Sequence, residues 1–329
     1  MNNRRKLVIA LGAGALAAPL AAFAQQPPAR MHRIGFLHPT SAAGIASRLE
    51  AFRVGLRELG YVEGKNLVIE FRWAEGKYDR LPELAAELVR LNVDLIVTAG
   101  TPGVRAAKQA TTTIPIVMAS SGDPVANGLV ASLARPGGNI TGSSYFGPEL
   151  NAKRVELLKE AVPRITQVAY LRNFDNAGAT GPTLRAVEIT AKSLKVGLQR
   201  FLVRGPKDFD STFAAMAKKG VDAVVVNEDA MLMANVSTIL DIAIKRRLPS
   251  AGDNAFAEAG GLMGYGADQL EIFRRAAYFI GRILKGTKPG DLPVERATRF
   301  ELIINLKTAK AIGIKIPPTL VQRADKVIE

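Results

Sequence analysis

IPIVMASSGDP, residues 114–124, opens as a run of apolar side chains and collapses into two serines, a glycine, an aspartate and a proline. A short continuous apolar run of this kind is what a parallel strand buried on both faces looks like, and the small polar residues mark its carboxyl end. DLIVTAG, residues 94–100, has the same form. Working outward, RIGFLH (33–38) and NLVIEFRW (66–73) read as two more strands. Between them Leu49, Phe52, Leu56 and Leu59 recur at helical spacing, and Gly60 supplies the stop. Leu81, Leu84, Ala85, Leu88 and Leu91 form one stripe of a second helix. Strand and helix alternate, which predicts an α/β fold with a parallel sheet.

After NITGSSYF (139–146) the alternation starts again: a helix over 150–162, strand QVAYLRN, a helix through Leu184, Val187, Ala191 and Leu194, strand LQRFLV, a helix near Phe213 and Met216, strand DAVVV, and a helix through Val236, Ile239, Leu240 and Ala243. DLIVTAG and IPIVMASSGD in the first half are echoed by DAVVVNE and LPSAGDN in the second, so the layout reads as a duplicated pair of Rossmann-like lobes. Three segments can cross between them. The expected organisation is a first lobe of 31–141 plus 267–292, a second of 146–264 plus 297–329, and hinge crossings at 142–145, 265–266 and 293–296.

The start of the chain stands apart. Arg4, Arg5 and Lys6 precede an apolar stretch from Leu7 to Ala18 and an Ala22-Phe23-Ala24 cleavage site, the three parts of an export signal. The apolar run is too short to span a bilayer as a helix. Residues 1–24 are therefore expected to be removed near Ala24, with the mature protein in the periplasm; the route, Sec or Tat, is left open by the sequence. Gly12-Ala13-Gly14-Ala15-Leu16-Ala17 mimics a dinucleotide-binding glycine pattern, but no strand precedes it and it lies inside this signal. Cysteine is absent, which excludes disulfides and a lipidated N-terminal cysteine. The net charge of +14 invites a nucleic-acid reading, yet the basic residues are interspersed with acids, as in RLPELAAELVR, without a dense basic run. No nucleic-acid partner is expected.

In open parallel sheets ligands bind outside the carboxyl ends of the strands. Small residues gather there: Gly100-Thr101-Pro102-Gly103, with Thr101 placed to cap a helix, and Ser120-Ser121-Gly122-Asp123-Pro124, read as a second helix start. Freed N–H groups at such starts suit a carboxylate. The second half supplies Asn173 and Asn176, then Asn227-Glu228-Asp229, then Asp253 and Asn254, which suit an ammonium. Together they suggest an amino acid held between an anion-binding and a cation-binding lip, although helix capping would use the same residue types. Candidate ligand contacts are His38, Thr101, Ser120, Ser121, Asp123 and Tyr145 from the first half, and Asn173, Asn227, Glu228, Asp253 and Tyr265 from the second. His32 and His38 lack the spacing of a metal pair, and no Walker loop, G-x-S-x-G elbow or HExxH motif occurs. No metal, cofactor or catalytic residue is expected.

Four long stretches, GLRELGYVEGKNLVIEFRWAEGKYDRLPELAAELV (55–89), IPIVMASSGDPVANGLVASLARPGGNITG (114–142), FRRAAYFIGRILKGTKPGDLPVE (273–295) and FELIINLKTAKAIGIKIPPTLVQRADKVIE (300–329), together resemble the ABC transporter substrate-binding protein family, in its TrpX-like branch. The resemblance implies a type I periplasmic-binding-protein fold with a three-segment hinge and no enzymatic activity. It also implies a small ligand, most simply an amino acid or related carboxylate with an aromatic side chain as one option, and an ABC permease at the inner membrane as partner, served by a monomer. Two alternatives use the same cleft: a protein presenting ligand to a sensory receptor, and an exported α/β hydrolase or isomerase.

Overall fold

The computed structural model describes residues 30–145, 147–176 and 181–329. The export signal expected at 1–24 lies outside the described residues. The first half builds β1 (His32–His38), α1 (Ala46–Glu58), β2 (Leu67–Trp73), α2 (Leu81–Arg90), β3 (Leu95–Ala99), α3 (Gly100–Ala110), β4 (Ile116–Ser121) and β5 (Ile140–Ser144). The second builds α4 (Gly147–Ala161), β6 (Gln167–Asn173), α5 (Gly181–Ser193), β7 (Gly197–Val203), α6 (Phe209–Lys218), β8 (Ala223–Val226), α7 (Ala230–Ala234), α8 (Val236–Lys245), β9 (Ser250–Gly252), α9 (Asn254–Glu258) and β10 (Met263–Ala267). The chain then returns through α10 (Gln269–Leu284) and β11 (Glu295–Arg296), and ends with β12 (Phe300–Asn305), α11 (Leu306–Ala311), α12 (Pro318–Gln322) and β13 (Lys326–Ile328).

One sheet has the order β11-β5-β4-β3-β1-β2, the other β13-β12-β10-β9-β8-β6-β7. Removing the late strands leaves the same pattern twice, β5-β4-β3-β1-β2 against β10-β9-β8-β6-β7, so the duplication read from the sequence is present in the strand order. This is the two-lobed type I periplasmic-binding-protein architecture. The pairings inside each repeat are parallel, as expected; β10 and β12, where the late strand joins the second sheet, are antiparallel. The reason is topological: β12 arrives from the other lobe and has no crossover helix to set it parallel.

Each sheet is covered on both faces. In the first lobe Leu49, Phe52 and Leu56 of α1 pack with Phe273, Phe279 and Ile280 of α10 on one side, and Leu84, Leu88 and Val104 lie on the other. A Cβ on Gly55 would press into the backbone carbonyl of Arg274, so this glycine lets α1 and α10 approach closely. In the second lobe Val155, Leu158 and Val187 cover one face, and Phe213, Met216 and Ile239 the other.

The links run slightly differently from the expected crossings. Residues 142–144 are still in β5, Tyr265 and Gly266 lie within β10, and Glu295 and Arg296 pair with Ser143 and Ser144 in the first sheet. Strands continue into the links on both sides, which leaves short connections between the lobes.

Candidate ligand-binding cleft

The carboxyl ends of the strands in the two sheets open onto one cavity of about 440 Å³. From the first lobe come His38 at the end of β1, Arg48 in α1, Thr101 in the first turn of α3, Ser120 near the end of β4 and Asp123 after it, and Phe273 of α10. The second lobe contributes Asn151 of α4, Asn176 after β6, Asn227, Glu228 and Asp229 after β8, and Asp253 after β9. Tyr145 enters from the first link.

Much of the capping chemistry expected here is arranged otherwise. Helix α3 begins at Gly100, with Ala99 as its extended cap residue and no capping side chain, so Thr101 is not the cap; it is a buried hydroxyl at the cavity wall. No helix follows Ser120–Pro124. Residues 124–130 form turns, and Asp123 Oδ1 accepts the N–H groups of Val125 and Ala126 at 3.1 and 2.9 Å. The second helix-start cradle is therefore corrected to a closed Asp-Pro turn. Pro136, Gly137 and Gly138 punctuate the segment beyond it, so a helix has no room to grow.

Three candidates lie away from the cavity wall. Ser121 is wholly buried, and its Oγ has no hydrogen-bond partner among the described residues. Asn173 points its amide at Asp229, 3.2 Å away, and borders a different, outer cavity. Tyr265 packs against the second-lobe core with its ring stacked on Phe300 at 6.3 Å, and its carbonyl accepts Arg154 Nε at 2.8 Å. The structure brings the other eight candidates together.

The carboxylates differ in what they already hold. Asp229 Oδ1 caps α7 through the N–H groups of Met231 and Leu232, and Asp253 Oδ1 caps α9 through Phe256 N–H at 2.9 Å. Asp123 closes its turn. The Glu228 carboxylate accepts no hydrogen bond within 3.5 Å among the described residues, although its backbone carbonyl accepts Asn227 Nδ2 at 3.2 Å; Arg154 Nη2 pairs with Oε2 at 3.6 Å. Protein surrounds Glu228 everywhere but toward the cavity, where 18% of its side chain is open. Burial, then the charge of Asp253, pushes its pKa up to about 7 against the pull of Arg154 and Arg48.

Arg154 is the main feature the sequence reading passed over. Only 1% of its side chain is exposed, and besides Tyr265 it donates Nη1 to Asn151 Oδ1 at 3.2 Å. A signal was available: Leu150, Arg154 and Leu158 are four residues apart, which puts a guanidinium on the buried stripe of α4. Arg48 was also missed; it lines the cavity from the first lobe and makes no hydrogen bond or ion pair among the described residues. Nothing in its surroundings in sequence distinguishes it from the other surface arginines.

His38 is neutral. Its pKa is pushed down to about 3, by burial first and then by the charge of Arg48. The N–H of Thr40 donates to Nδ1 at 3.2 Å, which leaves the ring proton on Nε2. Phe36, Trp73 and Phe273 surround the imidazole at centroid distances of 6.0, 6.0 and 6.1 Å. Burial likewise keeps the Tyr145 phenol protonated by raising its pKa well above the usual value, with Glu228 adding to the effect.

A family model described as ABC transporter substrate binding protein matches residues 33–328. A tyrosine-binding protein of Clostridioides difficile (strain R20291) is 27% identical over 268 residues, covering 81% of this chain and 76% of its own. The crystal structure of a Vibrio cholerae conserved domain protein superposes with a TM-score of 0.85 at 28% identity, over 91% of this chain and 100% of that one. An ABC domain from Streptococcus pneumonia in complex with L-Trp superposes with a TM-score of 0.84, also at 28% identity and with the same coverage.

Proposed function

The chain belongs to the ABC transporter substrate-binding protein family, whose members are binding proteins and not enzymes, and we propose that it carries a free amino acid to an ABC permease at the inner membrane. The observation that supports this ligand is a pair of opposite charges on the cavity wall: Glu228 on one lobe, with no capping duty and only the 3.6 Å ion pair to Arg154, and Arg48 on the other, with no hydrogen bond or ion pair among the described residues. A zwitterion satisfies both. In this reading the ammonium sits against Glu228 and Asp253, and the carboxylate takes Arg48 with the hydroxyls of Thr101 and Ser120.

The rest of the wall suits an apolar or aromatic side chain, with Ile45, Phe273, Met233 and Val236 among its residues. A volume of about 440 Å³ falls within the range of small-ligand pockets. The L-Trp complex and the tyrosine-binding relative supply the same ligand class by analogy. The export signal over residues 1–24 and periplasmic residence belong to the same proposal, as does action as a monomer.

A thermal-shift and calorimetric panel of the free amino acids tests it. An aromatic L-amino acid is expected to raise the melting temperature, since a ligand that binds the folded state alone stabilises it. Its N-acetyl and amide derivatives, each lacking one charge, are expected to give no shift. Equal binding of the N-acetyl derivative, or no response to any amino acid, would refute the assignment.

A further inference from the structure

Tyr78 crosses from one lobe to the other. It begins a 3-10 turn, Tyr78–Arg80, after β2. Its phenol donates to Asp229 Oδ2 at 2.8 Å and accepts the N–H of Ala230 at 3.0 Å, both on the second lobe. The turn before it is stitched to the cleft loop of its own lobe: Ala74 N–H donates to the His38 carbonyl at 2.9 Å, and Gly76 N–H to the Pro39 carbonyl at 2.7 Å. Glu75 and Gly76 both take the left-handed backbone, with φ of 55° and 78°, and this bend carries the segment against Met231 and Ala234.

Two further features give this contact a role. Asp229 does not depend on Tyr78, since it also accepts Met231, Leu232, Asn173 and Asn176. The phenol can therefore leave without stranding a bare carboxylate, as a reversible contact requires. Tyr78 also borders two cavities, the ligand cleft and an outer one of about 690 Å³ that includes Lys77, Asp175, Arg204 and Asn235. Tyr78 and Ala234 are the residues common to both walls.

We propose that Tyr78 is a positioning residue that latches the lobes shut through Asp229 and Ala230 and closes the cleft toward the outer cavity, so that it sets how long a ligand is retained. The latch rests on the two-lobed binding reading but not on which solute is bound. A hydrogen-bonded contact of this kind corresponds to a factor of about 5–30 in the closed-to-open ratio.

The full chain has no cysteine, so Lys65→Cys and Lys218→Cys place a single donor–acceptor dye pair, one on each lobe. Single-molecule energy transfer then reads the closed-to-open ratio with and without L-tryptophan. Tyr78→Phe, which keeps the ring, is expected to lower that ratio by about 5–30-fold and to raise the L-tryptophan dissociation rate with the association rate unchanged. Tyr170→Phe is the control, because it removes a phenol hydrogen bond to Asn227 inside the second lobe alone. A Tyr78→Phe ratio within twofold of the parent, an equal loss in Tyr170→Phe, or a parent protein without a closed population overturns the latch. The energy-transfer readout needs no ligand, so failure of L-tryptophan to bind would count against the amino-acid reading and leave the latch to be judged on its own.

Discussion

Replacing Glu228 by glutamine tests the cleft chemistry at its most exposed point. The carboxyl is enclosed by protein, lacks a hydrogen bond within 3.5 Å among the described residues, and has its pKa pushed up to about 7 by burial and Asp253. Its ordinary value is 4.5, so the folded state holds this proton more tightly than the unfolded chain does. The sign follows. The stabilising contribution of the protonated form is complete below about 4.5 and is lost as pH rises through about 7. By pH 8 the ionised carboxylate costs roughly 3 kcal/mol relative to low pH. Glu228→Gln keeps the shape and removes the charge, so it should stabilise the ligand-free protein by about that amount at pH 8 and much less at pH 5.

Binding should move the opposite way. An ammonium needs the ionised carboxylate, so affinity for an amino acid should be highest near pH 8, where ligand ammonium and Glu228 carboxylate are both charged, and fall on acidification as Glu228 takes up its proton. If the bound ligand holds the carboxylate ionised, a pKa near 7 implies a loss of roughly a hundredfold between pH 8 and pH 5. The glutamine variant should lose on the order of a hundredfold or more at pH 8, because one partner of an enclosed charge pair is then unmatched, and it should lose the pH dependence as well. Calorimetry across pH in two buffers of different ionisation enthalpy would also detect the proton released on binding. Wild-type affinity that is level from pH 5 to 8, or a Glu228→Gln variant that binds within threefold of wild type at pH 8, would show that Glu228 does not receive the ligand.

Other substitutions separate binding from folding. His38 is held neutral, with a pKa of about 3 against an ordinary 6.5, so its contribution is intact above 6.5 and lost as pH falls; stability should drop by about 1.4 kcal/mol per unit below that point, and less steeply in His38→Gln, as urea melts would record. Ser121→Ala should leave affinity unchanged and be neutral or stabilising by up to about 1 kcal/mol, because it deletes a buried hydroxyl without a partner. Thr101→Val should weaken ligand binding by roughly 1–3 kcal/mol while the melting temperature holds, since Thr101 caps nothing. Gly142→Ala should cost at least about 3 kcal/mol in stability: its φ is 130°, and a methyl there would overlap the backbone of Met118 on the neighbouring strand β4.

The sequence announced the strands because a parallel strand covered on both faces has to be apolar along its length, and LIVTA and IVMASS are. It also announced that chemistry would sit where those runs end. Sidedness was harder to read. Ser120 and Ser121 are neighbours on one strand and face opposite sides, so only Ser120 reaches the cavity. Tyr265 was placed at a crossing, but β10 continues through it and turns the ring onto Phe300. Tyr78 bonds across the gap between lobes to partners about 150 residues away in sequence, and a local pattern carries no trace of such a contact. The short helices α7 and α9, five residues each, have too few positions for a periodic stripe, and their capping aspartates were the visible sign of them.

Capping and binding compete for the same residue types at strand ends, and Asn227-Glu228-Asp229 shows how the competition is resolved. Asn227 Oδ1 accepts the Tyr170 phenol at 2.7 Å, which ties it to its own sheet. Asp229 has an extended backbone, with φ of −157° and ψ of 135°, at the residue immediately before α7, where a short acidic side chain reaches the N–H groups two and three positions on. Glu228 is one residue too early for that cap, and it remains directed at the cavity. The same division holds elsewhere: Asp253 caps α9 and Asp123 closes a turn, while Thr101, which caps nothing, keeps its hydroxyl at the wall. Polar groups that local structure consumes fix the geometry of the cleft, and those it leaves over are the ones available to a ligand. An aspartate after a strand is therefore weak evidence of binding by itself; a glutamate enclosed beside a capping aspartate, with no hydrogen bond to its own oxygens, is stronger.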